Sequence, residues 1–205
     1  MPRADFKYIA VEGVIGAGKT TLALQLSEWF GAYFVKEEFE ANPFLGNFYK
    51  DIKNYAFQTQ IFFLLSRFKQ QKQLRQYDLF HLKIISDYIF QKDRIFATLN
   101  LSNAEMKLYD GLAKIMEQEI AVPDFIIYLK SSTKRLMKNI KKRNREFESD
   151  ITESYISSLN GMYDSFFAQY TTCPVLTLNM EDYDFVNSKE DFNKIVQLII
   201  KTKGH

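Results

Sequence analysis

The sequence predicts an α/β fold: a five-stranded parallel sheet flanked by helices. Three observations carry that expectation. Short apolar runs alternate with stretches of helical periodicity along the whole chain, the pattern of strand–helix–strand units around a parallel sheet. The first apolar run, Tyr8-Ile9-Ala10-Val11, leads into Gly13-Val14-Ile15-Gly16-Ala17-Gly18-Lys19-Thr20, which fits G-x-x-x-x-G-K-[ST]. A helical stretch follows the loop at once, with Leu22, Leu26, Trp29 and Phe30 at helical spacing.

Length and composition narrow the frame. The 205 residues suit a single domain, or one domain with a small lid, and a hydrophobic content of 46% supports a sizeable core. Basic residues number 27 and acidic residues 25, a net charge of +2. So even a balance does not suggest a nucleic-acid-binding surface. One cysteine, Cys173, permits no intramolecular disulfide and agrees with a reducing cytosol. No apolar run reaches the length of a membrane span, and the first residues lack the apolar core of a signal peptide. The expectation is a soluble cytoplasmic protein with no nucleic-acid or membrane partner.

The first strand is placed at residues 8–12, and the loop after it is a phosphate cradle. Glycines let backbone N–H groups close around phosphate oxygens, and the helix N-terminus adds partial positive charge. Residues 13–18 and Thr21 then surround the phosphates, Lys19 reaches the terminal ones, and Thr20 holds Mg²⁺. The second strand is placed at 33–36. Glu37, Glu38 and Glu40 follow it. They read as a solvated turn, or, for Glu37 at the mouth of the crevice, as a base or an acceptor for a substrate hydroxyl. Asn42-Pro43 marks a turn. A long helix spans about 55–77, with Phe57, Ile61, Leu64, Leu65 and Phe68 as its apolar face. Gln60 and Arg67, seven apart, share a face; Gln60 reads either as an exposed polar stripe or as a reader of a nucleobase edge. Gln58 points the other way, and the basic run 67–75 reads as a solvated face.

The third strand, 83–87, ends on Asp87. A carboxylate at the tip of a strand beside the phosphate loop is a general-base or metal candidate. Asp93 and Arg94 either pair on the surface or point back into the site. A helix over 103–120 opens with Ser102 as N-cap and Glu105 three residues on. The fourth strand is 125–129, followed by a helix over 134–142. The cationic segment after it carries Arg143 and Arg145, and reads either as a solvated run or as a lid that offsets charge on a transferring phosphate. A helix over 151–170 has Tyr155, Leu159, Tyr163, Phe166 and Phe167 as core. The fifth strand is 175–178. The loop 180–186 reads as ordinary, or as a cover for an adenine ring, and the last helix is about 189–201.

These pieces, in this order and spacing, resemble the deoxyribonucleoside kinase family, in particular the small bacterial deoxyguanosine/deoxyadenosine kinases. The resemblance runs nearly end to end. It rests on residues 12–21, on Glu40-Ala41-Asn42-Pro43-Phe44-Leu45, on residues 57–67, on Ser86-Asp87-Tyr88-Ile89-Phe90-Gln91-Lys92, and on Lys142-Arg143-Asn144-Arg145-Glu146-Phe147-Glu148. It implies a P-loop kinase-like fold of one domain over 1–205, with a short Arg-bearing lid at about 141–150. It implies ATP as phosphate donor, Mg²⁺, and a homodimer formed through helix faces. Glu37 matches the carboxylate near the acceptor 5′-hydroxyl, and Tyr49 the tyrosine that meets the sugar 3′-hydroxyl. Gln60 matches the base-reading glutamine, with Arg67 at the family's spacing. Asp87 matches the proton acceptor and Asp93 the later aspartate facing the base region. Arg143, Arg145 and Glu148 match the lid; Asp184 and Phe185 match the loop that touches the donor adenine.

One departure stands out. Most of the family has Asp/Glu-Arg-Ser at the third strand end; here the chain reads Asp87-Tyr88-Ile89. Arg94 or a lid arginine is expected to supply the missing charge, and the proton acceptor stays open between Asp87 and Glu37. The leading reading is ATP-dependent 5′-phosphorylation of a deoxyribonucleoside, a purine one by resemblance. Two rivals are a nucleoside-monophosphate kinase of the thymidylate type, which needs arginines that the 37–45 region lacks, and a non-catalytic nucleotide-binding switch.

Overall fold

The computed structural model describes residues 5–77 and 83–203. Five strands form one sheet: β1 (Tyr8–Gly13), β2 (Tyr33–Val35), β3 (Ile84–Ser86), β4 (Phe125–Lys130) and β5 (Val175–Asn179). Their order is β2-β3-β1-β4-β5 and every pairing is parallel. All six residues of β1 and the first five of β4 are buried. Near-continuous apolar strands of this kind belong in a sheet covered on both faces. The chain fills one side of β1 with β3 and β2, then crosses to the other with β4 and β5. That reversal opens a crevice at the carboxyl ends beside β1, where ligands bind in such sheets.

Eight helices surround the sheet among the described residues: α1 (Lys19–Phe30), α2 (Leu45–Phe48), α3 (Ile52–Tyr77), α4 (Lys92–Asn100), α5 (Asn103–Glu117), α6 (Thr133–Arg143), α7 (Glu153–Gln169) and α8 (Lys189–Lys203). None is long and apolar enough to cross a membrane. The capping box that opens α5 is formed: the Ser102 side chain accepts from the Glu105 N–H, and the Glu105 carboxylate accepts from the Ser102 N–H. In α7, Leu159, Tyr163 and Phe167 are core as expected. Two short helices, α2 and α4, stand where turns and an unassigned segment were expected.

The face of α3 departs most from expectation. Leu64 is buried, but Leu65 is 50% exposed. The buried side is largely polar: Thr59, Gln60, Arg67, Gln70 and Gln71 accompany Ala56, Leu64 and Leu74. The run 67–75 is therefore no solvated face, although Lys69, Lys72 and Gln73 are exposed; the side chain of Arg75 lies outside the described residues. The reason is position. This side of α3 faces the crevice and the ends of β2 and β3, not an apolar sheet surface, and Arg67 and Gln70 find partners there. Gln70 Nε2, for example, donates to the Lys36 carbonyl at 3.0 Å. Gln58 is exposed, as expected.

Candidate active site

The phosphate loop is held by close contacts that only glycine tolerates. A Cβ on Gly13 would lie 2.8 Å from the Leu129 carbonyl oxygen of β4. Gly16 has φ +86° and would place a Cβ 2.8 Å from the Leu136 oxygen of α6, so that helix presses on the loop. Asn139 of α6 fastens it further, donating to the Gly16 carbonyl at 2.8 Å. The loop delivers Lys19 as the first residue of α1. Its Nζ donates to the carbonyls of Gly13 (2.8 Å) and Val14 (3.1 Å). Burial lowers the Lys19 pKa to about 8, and the Lys92 charge adds to that effect against the pull of Glu12, Glu37 and Asp87.

Beside the loop opens a cavity of about 100 Å³. Two carboxylates stand at its floor, each delivered by a strand end. Asp87 follows β3 directly. One of its oxygens accepts from the Thr20 hydroxyl at 2.5 Å, the other from the Glu37 N–H at 2.7 Å. Burial raises the Asp87 pKa, opposed by the Thr20 hydrogen bond. Glu37 lies just past β2 and meets two cations. Arg67 Nε and Nη2 reach Oε1 at 2.9 and 2.7 Å, and Lys92 Nζ donates to Oε2 at 2.7 Å. Burial pushes the Glu37 carboxyl up, but Lys92 and Arg67 outweigh it and bring it down to about 2. The hydroxyl of Thr20 and the carboxylate of Asp87 are oxygen ligands of the kind Mg²⁺ takes, and both line the cavity.

Farther out, Gln60 is 1% exposed and lines the cavity, with its Oε1 buried and without a hydrogen-bond partner. Tyr49 lines it too, packed edge-on against Tyr155 with ring centroids 5.8 Å apart. The segment after α6 also lines the cavity, through Arg143, Arg145, Phe147 and Glu148. Glu148, 6% exposed, accepts two hydrogen bonds from Arg143, one of them at 2.8 Å, and lies 3.7 Å from Arg145. The Arg145 guanidinium stands 4.5 Å from the Phe39 ring centroid. Across the phosphate loop lies a second depression, where Phe185 comes close enough to Gly18 that a Cβ there would meet its ring at 3.2 Å. Ala17, Arg135, Asn139 and Asp184 also line it. Asp184 spends its carboxylate on Asn187 at 3.0 Å.

Ile15, Lys19, Thr20, Glu37, Tyr49, Gln60, Arg67, Asp87, Arg143, Arg145 and Glu148 thus converge on one cavity. Gly18, Ala17, Asp184 and Phe185 face the second. Thr21 is exposed and lines neither. Asp93 lies behind the wall rather than in it: it pairs with Arg67 and accepts from Tyr109 at 3.0 Å. Burial raises its pKa to about 6 even beside Arg67. Arg94 corrects an expectation. It is exposed and pairs with Asp110 at 3.2 Å, because it falls on the outer side of α4; it neither pairs with Asp93 nor supplies charge to the site. Sequence reasoning missed Lys92, buried in the wall, and Glu12, whose carboxylate accepts from the N–H groups of Gly13 (2.9 Å) and Ile89 (3.0 Å). Glu12 stood in the stretch that carries the resemblance and as a charge inside an apolar strand, with no role assigned to it.

A phosphate loop on the central strand, its lysine and threonine, and a carboxylate on the neighbouring strand define a P-loop phosphotransferase. The comparisons with known proteins narrow the class. The chain belongs to the deoxynucleoside kinase family, whose model matches residues 9–203. It is 39% identical over 193 residues to the deoxyguanosine kinase of Bacillus subtilis, covering 92% of this chain and 93% of that one. The deoxyadenosine/deoxycytidine kinase of the same organism is 33% identical over 198 residues, covering 93% and 90%. Among solved structures, the deoxyadenosine kinase of M. mycoides with dCMP and dCDP bound superposes with a TM-score of 0.83 at 31% identity, over 94% of this chain and 98% of that one. The same kinase with dATP bound gives 0.82 at 32% identity. The protein is a deoxynucleoside kinase.

Proposed function

We propose that the protein transfers the γ-phosphoryl group of ATP to the 5′-hydroxyl of a purine deoxyribonucleoside, deoxyguanosine or deoxyadenosine. The observation that carries this reading is Gln60, a buried amide on the cavity wall whose Oε1 has no hydrogen-bond partner among the described residues. A buried acceptor left unmet is costly. The N–H groups on the edge of a purine satisfy it, while the amide nitrogen donates in return. The likeness to a deoxyguanosine kinase supports a purine, and the likeness to a kinase with dATP bound supports an adenine nucleotide as donor.

The division of labour follows the geometry. The loop amides and Lys19 take the donor phosphates; Phe185 and Asp184 flank the donor adenine. Thr20 and Asp87 would hold Mg²⁺, which would offset phosphate charge when bound. Tyr49 meets the sugar 3′-hydroxyl. Glu37, fixed by Arg67 and ionised through the working pH range, accepts the hydrogen bond of the 5′-hydroxyl and takes its proton late, once the oxygen has bonded to phosphorus. Asp93 acts on the base region through Arg67. The choice between Asp87 and Glu37 as proton acceptor falls to Glu37, because Asp87 is engaged on the Thr20 side. Arg143 and Arg145, gathered by Glu148, close over the transferring group as a lid. The chain works as a cytoplasmic homodimer.

The test is ATP-dependent phosphorylation measured across the four natural deoxynucleosides, with a deoxynucleoside monophosphate as a control acceptor. A purine deoxynucleoside is expected to lead in kcat/KM by about tenfold, the order of discrimination that one edge-reading hydrogen-bonding site readily supplies. A pyrimidine in the lead overturns the base preference. Product formed only from the monophosphate overturns the choice of acceptor.

A further inference from the structure

Lys92 reaches the cavity from a position that disfavours it. It is the first residue of α4, where unpaired N–H groups carry partial positive charge and repel a cation. It is also buried, 5% exposed, and a buried ammonium needs both an anion and acceptors for its three donors. Glu37 Oε2 at 2.7 Å is the anion and takes one donor. That carboxylate is already held through its other oxygen by two N–H groups of Arg67, so Lys92 is not needed to fix it. The lysine lines the same cavity as Lys19, Thr20 and Asp87. The side chain next to Asp87 does not compete for that space, since Tyr88 is fully buried in the core.

We infer that Lys92 is the acceptor-side cation of phosphoryl transfer, binding the phosphoryl oxygens as they arrive at the nucleoside while Lys19 holds them on the donor side. The inference deepens the reading above and rests on it. In the step, the 5′-oxygen bonds to the γ-phosphorus, the bond from that phosphorus to the bridging oxygen breaks, and ADP leaves with the bridging electrons. The hydroxyl proton passes to Glu37. Negative charge migrates from the Lys19 side to the Lys92 side, and the donors of Lys92 not spent on Glu37 receive it. Before the step the acceptor is an uncharged nucleoside; after it, a monophosphate. Lys92 therefore discriminates between substrate and product.

The experiment compares wild type, Lys92→Met and Lys92→Arg by steady-state kinetics. Calorimetry then measures binding of the preferred deoxynucleoside and of its 5′-monophosphate. For Lys92→Met, kcat is expected to fall about a hundredfold, the size of effect of losing one preorganised charge-stabilising group. Nucleoside affinity stays within about threefold, and monophosphate affinity weakens about tenfold, the scale of one lost charge-assisted hydrogen bond. Lys92→Arg restores most of the monophosphate affinity. Unchanged turnover in Lys92→Met overturns the proposal, as does an equal loss of nucleoside and monophosphate affinity, which marks a residue that only shapes the pocket. If Lys92→Met does not fold, E37Q is compared with E37Q/K92M, which removes both members of the buried pair. The same selective loss of monophosphate binding is expected between them, and its absence overturns the proposal. A wild-type protein inert on all four deoxynucleosides removes the underlying reading and the proposal with it; an active wild type with unaltered Lys92 variants removes the proposal alone.

Discussion

At the scale of residues, two carboxylates that line one cavity differ in their company. Glu37 is gripped by Arg67 and Lys92; Asp87 accepts from a hydroxyl and a backbone amide. Removing Asp87 leaves the ion pairs of Glu37 with Arg67 and Lys92, takes the acceptor from the Glu37 N–H, and strips the Thr20 side of its carboxylate. Asp87→Ala is therefore expected to lower kcat by about a hundredfold or more, with KM for the nucleoside changed by less than about threefold. Steady-state kinetics checks it, and turnover near wild type sinks the role. Much of this pair was legible beforehand because a strand tip in a parallel sheet points at the crevice. Lys19 and Thr20 were legible because the loop motif fixes them, and Gln60 with Arg67 because seven residues bring two side chains onto one helix face. Lys92 was not. Its reason for burial, Glu37, is 55 residues away, and a lysine in a helical segment otherwise reads as solvated. Arg94 failed for the complementary cause: its sequence position beside Asp93 said nothing of which side of α4 it takes.

At the scale of elements, local chemistry marks ends better than faces. The start of α5 was legible because Ser102 and Glu105 satisfy each other's backbone donors within one turn; its end falls at Glu117 rather than 120. Nothing outside the segment is needed. Ser102→Ala removes one side of that box and is expected to cost about 1 kcal/mol, lowering Tm by about 2–4 °C for a chain of this length. Because the cap lies away from the cavity, kcat and KM should hold. Thermal unfolding followed by circular dichroism checks the shift, and an unchanged Tm refutes the cap's contribution. The face of α3 shows the opposite case. Hydrophobic periodicity assumes that buried means apolar, yet this helix buries Gln60 and Arg67 against the site and Gln70 and Gln71 elsewhere. Its polar groups are stabilised by Glu37, Asp93 and a backbone carbonyl on other elements, which a helical periodicity cannot register.

At the scale of the whole molecule, the apolar surface that α3 does not turn inward has to be accounted for. Leu65 is 50% exposed on α3. On α5, Leu108, Leu112 and Ile115 are 62%, 40% and 69% exposed. Residues 108, 112 and 115 recur at helical spacing and form one stripe. The two helices belong to a common cluster through Leu64, Tyr109 and Ala113, so both outer faces lie on the same flank of the protein. Contiguous exposed apolar surface marks an interaction site, and a two-fold axis through such a flank lets the same patch cover itself. A homodimer formed there buries the stripe without obstructing the cavity, whose walls come from the other side of α3. The expected solution mass is twice the 24.1 kDa of the chain, measured by light scattering on a sizing column. Leu112→Glu combined with Ile115→Glu places two like charges on each partner's apolar stripe and is expected to give monomers. A wild-type mass of one chain, or a double variant that stays at the wild-type mass, rules out this face as the interface.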